Sequence, residues 1–100
     1  MSETYNLEAN PFQAALVRMA ETQLTADAAG MVLNYFRGVE GQPAGAFFAH
    51  LMRAFAHADE HNFARLREAF PDVGAAMWLA QYSPEGIDLL RLHAEDSSVS

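Results

Sequence analysis

Four prolines, at positions 11, 43, 71 and 84, limit what this 100-residue chain can fold into. Proline lacks an amide hydrogen and collides with the preceding helical turn, so it fits the first turn of a helix and breaks one anywhere later. The stretches between these prolines carry apolar residues at helical spacing, and none shows the alternation of a β-strand. The expected fold is all-α: five or six short helices packed as one small irregular bundle.

Local signals place the helices. Asn10 before Pro11 is a cap followed by a first-turn proline, and Phe12, Leu16 and Met19 are expected on the core face of the first helix. Thr25 caps the second, with Asp27 in the first turn where the helix dipole favours an acid. Its apolar stripe is Ala28, Met31, Val32, Tyr35, Phe36 and Val39. The segment GVEGQPAG, 38–45, is the clearest break, and it reads as a loop inside one domain because neither side is long enough to fold alone. Pro43 is expected to open a third helix bearing Phe47, Phe48, Leu51, Met52 and Phe55. Asp59 caps a fourth, whose stripe of Phe63, Leu66 and Phe70 ends at Pro71. Asp72 opens a fifth with Val73, Ala76, Met77 and Leu79, and with Trp78 and Tyr82 at its edge; Ser83-Pro84-Glu85 opens a sixth with Ile87, Leu89 and Leu90. Residues 1–100 are expected to form a single domain, flexible at 1–10 and 94–100.

Composition narrows the function. Apolar residues make up 51% of the chain, enough for a core, and there is no cysteine, so stability must come from packing. Thirteen acids face six bases, all arginine, for a net charge of −7. Nucleic acid and anionic membranes reward clustered Lys and Arg, so neither is an expected partner. A basic protein surface is favoured instead, because complementary charge steers encounter. With no basic-then-apolar leader pattern and no apolar run near the roughly 20 residues of a membrane span, the expected location is cytoplasmic.

One string suggests chemistry. His57-Ala58-Asp59-Glu60-His61 spells the H-x-x-E-H of one class of zinc peptidases. On one continuous helix, His50, His57 and His61 would share a face, and three imidazoles suffice to hold zinc. Asp59, however, is a natural N-cap, and a helix break there scatters that face. Peptidases of this class also need a distant third ligand and a larger fold, so HADEH reads as a helix boundary. With no thiol, no lysine and no phosphate-cradling loop after a strand, no catalytic residue, metal or cofactor is assigned, and the chain is expected not to be an enzyme. Candidate partner-binding residues are instead the acids Glu40, Asp59, Glu60 and Asp72, which bracket the central loop and the helix junctions. The pair Trp78 and Tyr82, four apart, suits either a core or an interface hot spot.

The segment Phe47 to Val73 resembles a pattern in small proteins of phages and integrative elements, through Phe48, Leu51, Ala54, Ala58, Asp59, Asn62, Arg65, Leu66, Ala69, Phe70 and Pro71. The wider profile, acidic, cysteine-free and without an enzymatic motif, is similar to phage-encoded anti-CRISPR inhibitors of the type I-F surveillance complex. That resemblance implies a non-enzymatic binder, working in the host cytoplasm, that covers a basic DNA-handling surface and stops target capture. Anti-CRISPR inhibitors share no motif, so it implies no interface residue. The alternatives are a phage accessory module, structural or regulatory, that binds a helical partner, and more remotely a metal-dependent hydrolase.

Overall fold

The computed structural model describes the backbone of residues 11–99 and the side chains of residues 11–95. Asn10, the expected first cap, lies outside them with the rest of 1–10. Six helices and no strand occur among the described residues: α1 (Pro11–Gln23), α2 (Ala26–Arg37), α3 (Ala46–His57), α4 (Glu60–Ala69), α5 (Pro71–Tyr82) and α6 (Gly86–Val99). The all-α expectation is met.

The arrangement follows from α5. Its sequence, PDVGAAMWLAQY, is apolar nearly all the way round, and a helix without a polar face is stable only when surrounded. Val73, Gly74, Ala75, Ala76, Met77 and Leu79 are all buried, and α5 packs against each of the other five helices. Met77 and Leu79 of α5, with Val32 of α2, Phe55 of α3 and Leu90 of α6 from the helices around it, are among the largest fully buried side chains. Each such burial is worth about 1.5–3 kcal/mol. The most extensive single pairing is α2 against α6, and both helices add to the same core, α2 with Ala29, Val32 and Leu33 and α6 with Leu90.

The expected punctuation works as chemistry. Thr25 Oγ1 accepts the Ala28 amide at 3.1 Å, and Asp59 Oδ1 accepts the Asn62 amide at 2.8 Å, each satisfying a free N–H at a helix start. Pro71 ends α4 and sits at the first position of α5, so a single residue, Phe70, turns the chain between two antiparallel helices. In the loop 38–45, Gly38 and Gly41 adopt φ of 76° and 71°, a region that costs little only without a Cβ. A Cβ on Gly41 would also strike the Gly30 carbonyl, where the loop returns and Gln42 donates its amide to α2.

Several expectations change. Phe12 and Met19 do not face the core; they are 73% and 61% exposed, while Val17 and Ala20 are the buried residues of α1. Small side chains let α1 approach α5 closely, and the bulky residues are turned outward. On α2 the buried face is rotated toward Ala29, Gly30 and Leu33, leaving Tyr35 and Phe36 at the surface. The helix ends at Arg37, and Val39 in the loop is 95% exposed. Pro43 lies in the loop, because α3 starts three residues later with Gly45 as its cap. Phe47 is exposed and rests on Phe48 and Phe70 at ring separations of 5.2 and 5.9 Å. At the other end, the helical backbone of α6 continues to Val99.

Candidate protein-binding groove

Three of the four acids proposed for a partner are engaged within the chain. Glu40 receives a two-pronged grip from Arg91 of α6, with Nε–Oε1 at 2.7 Å and Nη2–Oε2 at 3.2 Å, and Arg37 lies 3.6 Å away. Hydrogen bonding from Arg91 holds the Glu40 carboxyl below the usual glutamate range and raises the Arg91 guanidinium in turn. Arg91 also binds Asp88 at 2.7 Å, so the charge cluster clips the central loop to α6. Asp72 accepts from the Thr25 hydroxyl at 3.2 Å, tying the start of α5 to the start of α2, and Asp59 is the α4 cap. Glu60, in the first turn of α4, is exposed and makes no hydrogen bond or ion pair among the described residues.

The histidine string straddles a junction. His50 and His57 lie on α3, His61 lies on α4, and Ala58-Asp59 breaks the helix between them. All three are exposed, and no three His, Cys, Asp or Glu side chains among the described residues converge on a possible metal position.

Three of the proposed residues, Glu60, Trp78 and Tyr82, are brought by the fold into one shaped site. Helices α1 and α4 both lie along α5, yet no Cα of α1 comes within 8 Å of a Cα of α4. The space between them is an open groove in two halves of about 540 Å³ each, sharing Ala64, Arg67 and Trp78. One half continues past Phe63 to Tyr82, Gln13 and Glu60. The other runs between Leu16 and Met19 of α1 and His61, Arg65 and Glu68 of α4. Trp78 is half-buried on the floor, its ring 6.2 Å from the Tyr82 ring, which in turn lies 6.1 Å from the buried Phe63. Gln13 Nε2 donates to the Tyr82 carbonyl at 3.3 Å at one end of α1, and Thr25 meets Asp72 beyond the other, so α1 runs antiparallel to α5.

Arg67 is the residue that sequence reading missed. It reaches across the groove and donates to Gln23 Oε1 at 2.9 Å, the only hydrogen bond of its side chain among the described residues. Its half-burial pushes the guanidinium below the ordinary arginine value. Gly74 makes this possible: a Cβ there would lie 2.8 Å from both Cα and Cβ of Arg67, so the missing side chain lets α4 settle against α5. Arg65, on the rim, has no hydrogen bond or ion pair among the described residues. The small residues Gly74, Ala75 and Ala76 near the start of α5 are the sequence signal of such a close approach.

No family model, curated protein or solved structure matches this chain. Among the described residues no helix is long and apolar enough to cross a membrane.

Proposed function

We propose that this chain is a non-enzymatic inhibitor that binds a protein partner stoichiometrically, the CRISPR–Cas type I-F surveillance complex being the target that its sequence resemblance implies. Binding would block capture of target DNA in the host cytoplasm. The observation that carries the binding reading is the groove between α1 and α4, with the half-buried Trp78 on its floor and Tyr82 and Met19 open to solvent. An aromatic anchor in a concave apolar site with a polar rim is the usual anatomy of an interface hot spot. The net charge of −7 supports a basic partner surface, since it accelerates encounter with one. Of the acids first proposed as contacts, Glu60 fits best, because it is exposed at the Tyr82 end of the same groove.

The test uses the purified surveillance complex and the immobilised chain. The expected result is saturable binding that releases the complex from its target DNA, with an association rate that falls as salt is raised. Failure to retain the complex at low ionic strength refutes this target.

A further inference from the structure

The groove has a definite length, lining and charge, and together these specify an occupant. Its α1 wall runs from Gln13 to Gln23, about 15 Å at 1.5 Å per residue, which matches three turns of helix. Leu16, Met19, Phe63, Ala64 and Trp78 present an apolar track along that length. Apolar tracks of this kind take amphipathic helices through anchors at i, i+3, i+4 and i+7.

Charge specifies the rest. The chain has thirteen acids for six arginines, and Arg37 and Arg91 both hold carboxylates. Arg67, in the middle of the groove, instead has a neutral amide as its only partner among the described residues, and Arg65 beside it has none. A half-buried guanidinium whose remaining donors face a groove is completed by a carboxylate, which it can hold through two parallel N–H···O bonds.

We infer that the α1/α4 groove receives a three-turn amphipathic helix of the partner protein, laid on Trp78, with one carboxylate from its apolar edge seated on Arg67. The inference rests on the protein-binding reading above and names the element of the partner that is bound. The occupant's outer face is neutral or basic, because the acidic body of the chain repels a strongly anionic helix.

The chain reports on this site directly, since Trp78 is its single tryptophan. Three helical peptides serve as probes, identical in their leucine stripe and differing only in Glu, Gln or Lys at one position on the stripe's edge. The Glu peptide should shift Trp78 emission to shorter wavelength and saturate, bind roughly tenfold more tightly than the Gln peptide, and exceed the Lys peptide by more. Arg67→Gln should abolish the Glu preference, while Arg37→Gln, outside the groove, should leave it intact. Absence of a saturable shift with the Glu peptide, or equal binding of all three, overturns the inference. So does a peptide-independent shift that accompanies dimerisation in sedimentation, which would make a second copy the occupant.

A separate arm distinguishes this inference from the function it rests on. Met19 is 61% exposed, so Met19→Glu should fold normally while placing an acid in the groove. If the surveillance complex is retained equally by wild type and Met19→Glu, the groove inference fails and the binding function stands. Loss of retention in a variant with unchanged circular dichroism supports the groove. If the wild type retains no complex, the proposed target fails, and the peptide series alone decides the groove.

Discussion

Gly74→Ala tests the packing on which the groove depends. Replacing glycine by alanine inside a helix normally stabilises it by up to about 1 kcal/mol, because alanine loses less backbone entropy on folding. Here the added Cβ would sit 2.8 Å from Arg67 Cα and Cβ, against an ordinary carbon–carbon contact of about 3.5–4.0 Å. The shortfall is roughly 1 Å; turning the Arg67 side chain can move its Cγ, 2.5 Å away, but relieves neither the Cα nor the Cβ contact. Overpacking of this kind costs about 1–3 kcal/mol, so the clash outweighs the propensity gain and leaves a net loss of about 1 kcal/mol. For a chain of this size that lowers Tm by roughly 4–8 °C. Thermal melting by far-UV circular dichroism reads the effect, and Trp78 emission should change as Arg67 is displaced across the groove. A Gly74→Ala variant as stable as wild type, or more so, would refute the reasoning, since α4 would then be free to move.

Three further outcomes are expected. Thr25→Ala should cost about 1 kcal/mol in urea unfolding, because it removes the α2 cap; Thr25→Ser should recover most of that. Asp59→Ala should cost a similar amount at the α4 start, and Asp59→Asn little, because an amide oxygen caps nearly as well. Glu40 has a folded-state pKa below its unfolded one, so its stabilisation is complete above the unfolded value of about 4.3 and disappears as pH falls through the folded value. The stability gap between wild type and Glu40→Gln should therefore be present at neutral pH and close below about pH 4; a gap that widened on acidification would show that the ion pair with Arg91 does not carry it.

Helix number and most helix starts were legible because they rest on local chemistry. Thr25, Asp59 and Pro71 act within one turn of themselves, and the loop at 38–45 declares itself by glycine and proline. Facing was harder. Periodicity alone put Phe12 and Met19 inward, but helix approach is governed by size as well as polarity, and the small Ala20 won the contact with α5. On α5 the periodicity carries almost no direction, since nearly every position is apolar, and that lack of direction was itself the sign of a central helix. The site divides in the same way. Trp78 and Tyr82 could be singled out from one helical turn, whereas the walls of their groove come from Leu16 and Met19 on one side and Arg67 on another, brought together only by packing on α5. The pairing of Glu40 with Arg91, 51 positions apart, erased an apparent free acid that no local rule could have matched.

The central position of α5 also has a consequence in time. Synthesis delivers the chain from its N-terminus, so α1 to α4 leave the ribosome before the helix they all pack on has been made. Val17, Leu51 and Phe55 cannot complete their burial until residues 71–82 follow, and α2 must wait longer still for α6. Folding of this unit thus waits for α5 and α6, and a nascent chain stalled before residue 71 is the form most open to chaperones and proteases.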